Sequence, residues 1–184
     1  MTDRRSAFEQ VAMPVAPALL RTARRLVPGD DADDLVQETF LRAYRTFDSF
    51  RPGTNGKAWL FTILYSIVAN RWRQESRRPV LQSLDAGDQR FADALSADLP
   101  GPDVLYGQAE LRAVIDRALE GLPEEFRATL LLVDIEGLTY EEAAAVTASP
   151  VGTVRSRLSR ARRQMFVTLQ SNGAGARTQT DGGR

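Results

Sequence analysis

Residues 138–158 read LTYEEAAAVTASPVGTVRSRL, and two apolar periods interrupted by Thr147-Ala148-Ser149 make this the stretch that decides the fold. The first period opens with Thr139 and has Glu142 three residues on, the spacing of a capping box in which side chains and free amides satisfy one another. The second follows Ser149, a residue type that caps helices, with Pro150 at a first-turn position that tolerates a missing N–H. Two helices joined by so short a turn form a helix-turn-helix, whose second helix is shaped to enter the major groove of DNA. At about 100° per residue, Val151, Val154, Leu158, Ala161 and Met165 fall on one side of that helix and must pack inward. Ser156, Ser159, Arg160 and Arg163 fall opposite, with Thr153 and Arg155 on the flanks. Arginine forms bidentate bonds to guanine edges or neutralises phosphates, and serine accepts either kind of contact.

Outward from this motif, turn residues divide the chain. Gly121-Leu122-Pro123 and Gly137 punctuate an apolar periodicity that predicts helices over 104–120, 124–135, 139–146 and 150–169. Residues 171–184, rich in Gly, Thr, Gln and Asn, predict a disordered tail. Residues 79–103 combine Pro, Gly, Asp and Ser with little periodicity, which predicts a flexible linker with a short helical piece over 91–95. An N-terminal lobe precedes it. Pro14 and Pro17 place the start of a helix over 15–26, and Pro28-Gly29 its stop. A helix over 31–47 opens with Asp30, Asp31, Asp33 and Asp34, which suit the positive end of a helix dipole. Leu35, Val36, Phe40, Leu41 and Tyr44 repeat along it at helical spacing. The stretch 50–56 (FRPGTNG) reads as a loop. A third helix over 57–77, stopped by Pro79, is apolar at Trp59, Leu60, Ile63, Leu64, Ile67 and Val68 and becomes basic at its end. The expected fold class is all-α: two small helical domains, 1–78 and 104–170, joined by the flexible linker, the C-terminal one a helix-turn-helix.

Composition excludes several chemistries. The 184 residues include no cysteine and no histidine, so thiol nucleophiles, His- or Cys-ligated metals and Ser-His-Asp triads are ruled out. No Gly-rich phosphate loop or catalytic signature is present, and neither an enzyme nor a cofactor is expected. The charged start of the chain is unlike a signal peptide, and the apolar runs are too short to span a bilayer, which predicts a cytoplasmic protein with no membrane span. The formal net charge is zero, from 24 basic and 24 acidic residues, but the charge is segregated. Arg155, Arg157, Arg160, Arg162 and Arg163 share a stretch without an acid, and Arg71, Arg73, Arg77 and Arg78 form a second basic cluster. Between them, Asp85, Asp88, Asp93, Asp98, Asp103 and Glu110 face only Arg90. Two basic patches split by an acidic connector bind DNA locally and repel it globally, which predicts dependence on a partner.

The stretch 150–162 (PVGTVRSRLSRAR) resembles region 4 of the extracytoplasmic-function (ECF) sigma factors, members of the sigma-70 family; so do 122–127 (LPEEFR) and 137–144 (GLTYEEAA). The resemblance implies that this helix reads the upstream, minus-thirty-five promoter element as duplex DNA through Thr153, Arg155, Ser156, Ser159, Arg160 and Arg163. Residues 33–44 (DDLVQETFLRAY) are similar to region 2.2, which implies docking on core RNA polymerase through Asp34, Gln37, Glu38 and Leu41. The run from Lys57 through Asn70-Arg71-Trp72-Arg73 to Arg78 resembles regions 2.3 and 2.4, which bind the downstream, minus-ten element and hold the opened single strand. By that resemblance Asn55, Gly56, Lys57, Asn70, Arg71, Arg73 and Arg77 contact the strand, and strand capture does need a cationic surface with a face or pocket for an unstacked base. Trp59 reads as core, while Trp72 fits either a stacking platform or a partly buried anchor. The resemblance further implies a sigma factor in transcription initiation and stress response, held inactive by an anti-sigma factor, with an acidic linker that passes through the polymerase's RNA exit path.

Two other readings stay open on the residues alone. An autonomous helix-turn-helix regulator would bind duplex DNA without polymerase, against which the neutral charge and the split basic patches argue. A protein-binding adaptor would use residues 31–44 and leave the C-terminal helix structural.

Overall fold

The computed structural model describes residues 3–27, 31–77 and 108–177, and among them every regular element is helical. The N-terminal lobe holds α1 (Arg4–Ala12), a 3-10 turn at Met13–Val15, α2 (Ala16–Leu26), α3 (Asp31–Arg45), a second 3-10 turn at Phe47–Ser49 and α4 (Gly56–Arg77). The C-terminal lobe holds α5 (Gln108–Glu120), α6 (Glu124–Leu130), a π turn at Leu131–Ile135, α7 (Tyr140–Thr147) and α8 (Val151–Arg177). The linker expected over 79–103, its helical piece and the Pro28-Gly29 stop lie outside the described residues.

α1 was not expected, because only Phe8, Val11 and Ala12 give it an apolar stripe. Phe8 nevertheless anchors it, edge-on to Tyr44 at 5.2 Å and to Phe47 at 5.4 Å between ring centroids. The aromatic cluster continues through Phe47, Phe50 and Trp59, the last two 5.0 Å apart, so Trp59 belongs to the packing of the lobe. Trp72 is buried edge-on to Tyr65, which makes it an anchor. α3 turns Ala32, Leu35, Val36, Thr39 and Ala43 inward, and the Thr39 hydroxyl donates to the Leu35 carbonyl at 2.8 Å, so no polar atom is stranded. Leu41 and Tyr44 do not join that face. Six residues from Leu35, Leu41 has turned by about 240° and stands 59% exposed.

The lobes pack on one another: α4 lies across α7, while α2 touches α5 and α6. Their buried apolar residues form one continuous cluster, from Phe8 to Ala161. In the C-terminal lobe Val154, Leu158 and Ala161 are buried as their spacing predicts. The capping box at α7 is present, with the Glu142 amide donating to Thr139 Oγ1 at 3.1 Å and the Thr139 amide to Glu142 Oε2 at 2.9 Å. Ser149 does not act as the expected cap of α8. The helix begins at Val151, the Pro150 carbonyl accepts from the Thr153 and Val154 amides, and Ser149 Oγ accepts from Arg157 instead. α8 also continues to Arg177, through the first part of the stretch expected to be disordered, because extending a nucleated helix costs far less than starting one.

The turn between α7 and α8 depends on Ala148 in the left-handed region, at φ 48° and ψ 41°. There the Ser149 amide reaches back to the Ala144 carbonyl at 3.0 Å, closing α7. A side chain at this position opposes the left-handed conformation, and a branched one does so more. Ala148→Val is therefore expected to lower stability by about 1–2 kcal/mol, with Ala148→Gly neutral or stabilising. Urea unfolding midpoints of the two variants check this, and a Val variant as stable as the Gly variant would remove the strain from the turn.

Candidate nucleic-acid interface

The arginines of α8 divide into two sets. Arg157 is mostly buried, paired with Glu125 and donating to Ser149 Oγ at 3.0 Å. Arg162 forms a two-point contact with Asp134, at 2.9 and 2.6 Å, which raises its pKa further above the usual arginine value. Both arginines fasten α8 to the lobe through acids of the preceding elements. Arg155, Ser156, Ser159 and Arg160 are exposed, with Thr153 half-buried beside them. The Arg155 guanidinium lies 5.8 Å from the centre of the Tyr140 ring, which steadies it without neutralising it. Arg163 is half-buried. The α8 face that spacing assigns to DNA is thus a compact polar strip, positioned by the two arginines that spacing leaves out of it.

On α3, Asp34, Gln37 and Leu41 are exposed and Glu38 half-buried, all along one stripe. Glu38 accepts from Arg42 at 2.6 Å and lies 3.8 Å from Arg71. An exposed leucine rimmed by acids and an amide has the composition of a protein-docking patch, with an apolar anchor and a polar edge.

The residues assigned to the downstream strand do not form one surface. Asn55 Oδ1 accepts from the amides of Lys57, at 3.0 Å, and Ala58, at 3.2 Å, so Asn55 caps α4. Gly56 is packed against Val11, where a Cβ would come within 2.6 Å of Val11 Cγ1, so its glycine answers to packing. Asn70 and Arg73 are hydrogen-bonded to each other and line a cleft of about 590 Å³ between α4 and the α6–α7 side of the other lobe. Arg71 turns away from them toward α3, 3.8 Å from both Asp31 and Glu38. Arg77 ends α4, and its side chain lies outside the described residues.

Contacts between the lobes supply functional groups that no motif suggested. Lys57 Nζ lies 2.8 Å from Glu136 Oε2 and donates to the Glu136 carbonyl at 2.6 Å. Thr22 Oγ1 donates to Glu136 Oε1 at 2.9 Å, and the Glu136 side chain is only 1% exposed. Asn55 Nδ2 donates to Glu142 Oε1 at 2.6 Å. At the other end of the seam, Arg25 pairs with Asp116 at 3.0 Å and Arg127 donates to the Arg25 carbonyl. These pairs span 79 to 114 residues of sequence, so no local spacing could have announced them. Among the described residues there is no group of acids placed to hold a metal ion and no helix long and apolar enough to cross a membrane.

The sigma-70 region 2 profile matches residues 12–78, and the sigma-70 region 4 profile matches residues 112–165. The chain is 36% identical over 166 residues to the ECF RNA polymerase sigma-E factor of Salmonella typhimurium, covering 89% of this chain and 87% of that protein. It is 41% identical over 145 residues to the ECF RNA polymerase sigma factor EcfG of Rhodopseudomonas palustris, covering 79% and 75%. Its fold is similar to that of the sigma factor RpoE crystallised in complex with the anti-sigma factor NepR from Bartonella quintana. That match has a TM-score of 0.68 and 33% identity, over 89% of this chain and 97% of that one.

The Glu142 carboxylate accepts two of the bonds described above, and the Thr139 amide first, then the Asn55 amide, hold its carboxyl below the usual carboxylate value. A lowered folded pKa contributes stability that is complete above the unfolded value and is lost as the pH falls through the folded one. Glu142→Gln is expected to destabilise the protein at neutral pH and to differ progressively less from wild type below about pH 4. Chemical denaturation across that range measures the gap, and a gap independent of pH would detach the lowered titration from stability.

Proposed function

We propose, for a chain that belongs to the ECF sigma factors of the sigma-70 family, a division of labour in which residues 1–78 engage core RNA polymerase and the minus-ten element while residues 104–170 read the minus-thirty-five element. The observation that carries this reading is the sorting of the α8 arginines. Two are consumed in holding the helix, and what they hold out is a polar strip of Arg155, Ser156, Ser159 and Arg160. Arg155 and Arg160 have the reach and donor geometry for guanine edges or phosphates, and the serines suit base or backbone. Thr153 and Arg163 border the strip. On α3, Leu41 supplies the apolar anchor for polymerase, with Asp34, Gln37 and Glu38 around it. In the first lobe Asn55, Gly56, Lys57, Asn70, Arg71, Arg73 and Arg77 serve the opened strand. Gly56 does so through backbone shape and Asn55 through the loop that it caps.

The protein acts in the cytoplasm beside polymerase and is not an enzyme. Polymerase supplies bond formation, while this chain supplies promoter choice and the contacts that hold the strands apart. An anti-sigma factor keeps it inactive, a reading supported by the 33% identical sigma factor bound to NepR.

Transcription with purified core polymerase on a library of promoter fragments tests the whole reading. Transcripts that require this protein and share two spaced elements are expected. Arg160→Ala should weaken upstream-element binding by about 1–3 kcal/mol and relax preference at one base pair. Leu41→Asp should reduce polymerase capture by about 2 kcal/mol or more, with the fold intact by circular dichroism. Duplex binding without polymerase, and no transcript with it, would identify a free-standing regulator instead.

A further inference from the structure

Two of the residues assigned to the opened strand, Lys57 and Asn55, are already occupied, and their occupant is the other lobe. The Lys57 ammonium has two oxygens of Glu136 within 2.8 Å, and the amide of Asn55 is held by Glu142. Glu136 and Glu142 flank the start of the helix-turn-helix, one before Gly137 and one in the first turn of α7. Each presents to the first lobe what a nucleic-acid backbone presents: anionic oxygen at hydrogen-bonding distance. Asn70 and Arg73, both exposed, lie on the first-lobe wall of the cleft whose other wall holds Glu124, Glu125 and Ala145–Ala148.

We propose that Glu136 and Glu142 are an internal substitute for the DNA backbone, a latch that closes the C-terminal lobe over Lys57 and Asn55 and makes lobe closure and strand binding at these residues mutually exclusive. The proposal rests on the assignment of Lys57 and Asn55 to the opened strand. Exclusion comes from charge and space, since two of the three Lys57 donors are on Glu136 and a phosphate brought to the third would meet the Glu136 carboxylate. Two events that compete for one group are negatively coupled, and the coupling is reciprocal. Whatever separates the lobes exposes the strand site, and a bound strand holds the lobes apart. The latch is reversible because opening returns both charges to water, which recovers much of the hydration lost on closing. Thr22 tightens it from the first lobe by occupying the second carboxylate oxygen.

The chain has no cysteine, so cysteines introduced at the exposed Ser49 and Arg117 can carry a donor and acceptor dye, one in each lobe of the full-length protein. Energy transfer is compared in wild type, Glu136→Gln and Thr22→Val, alongside affinity for a mixed-sequence single-stranded DNA oligonucleotide. Neither substituted residue belongs to the proposed DNA or polymerase contacts. In both variants transfer is expected to fall and single-strand affinity to rise, by about tenfold for Glu136→Gln, within the usual range of coupling between sites, and less for Thr22→Val. In wild type, saturating oligonucleotide should lower transfer. Transfer and affinity unchanged in both variants, with polymerase-dependent transcription retained, overturns the latch and leaves the sigma reading standing. Reduced transfer without a gain in affinity also overturns the proposal, and traces the failure to the assignment of Lys57 and Asn55. If Glu136→Gln loses its cooperative unfolding transition, the near-isosteric Thr22→Val carries the same comparison alone.

Discussion

A carboxylate shut away from water has to be met by a cation and by donors for its lone pairs, or it does not remain charged there. Glu136 is in that position, and its partners come from the other lobe. The Thr22 hydroxyl reaches it from α2, and the Lys57 ammonium at the start of α4 meets both its carboxylate and its backbone carbonyl. The rest of the closed structure is arranged around this requirement. Apolar packing of α4 on α7 tolerates small slides of one helix over the other, because the attraction is spread over area and has little direction. Hydrogen bonds of 2.6 to 2.9 Å do not tolerate them. The polar triad therefore sets the register in which two lobes, separated by a long stretch of sequence, meet.

Much of each lobe was legible in the residue pattern, and the failures have definite causes. The cap at Thr139, the inward face of α8 and the break at Gly121-Leu122-Pro123 are local devices, each written in fewer than ten residues, and the folded chain uses them as read. α1 escaped notice because its stripe is three residues wide and its anchor, Phe8, packs on aromatics some forty positions away. Ser149 has the residue type of a cap, but Arg157 claims its oxygen, a long side chain reaching back from two turns on. Leu41 has an apolar side chain but the wrong angle for the core, and that mismatch is what marks an outward-facing patch, whereas Tyr44 is taken up by Phe8 of α1. The lobe–lobe bonds were illegible in principle, since each joins residues whose only relation is the final fold.

The site residues show the same limit from another side. A run of five arginines cannot by itself say which bind a ligand and which brace the helix. The acids that decide, Glu125 and Asp134, lie 32 and 28 residues away from Arg157 and Arg162. Asn55 shows how one side chain serves two roles, with its carbonyl oxygen capping α4 and its amino group left for a partner. Residue type supplied the candidates there, and contact geometry assigned the atoms.

The π turn at Leu131–Ile135 carries a consequence for how the lobes meet. The Glu136 amide reaches five residues back to Leu131, at 2.9 Å, and the Leu138 amide six back to Leu132, at 3.0 Å, before Gly137 turns the chain at φ 70°. One additional residue is accommodated in a helical turn, and removing it would rotate the helix-turn-helix beyond it by about 100° relative to α6. Gain or loss of a single residue within this turn would re-aim Glu136 and would also displace the buried Leu131 and Leu132, so the lobe would have to repack around the change. The length of this turn, through the aim of Glu136, therefore sets how firmly the two lobes can hold each other.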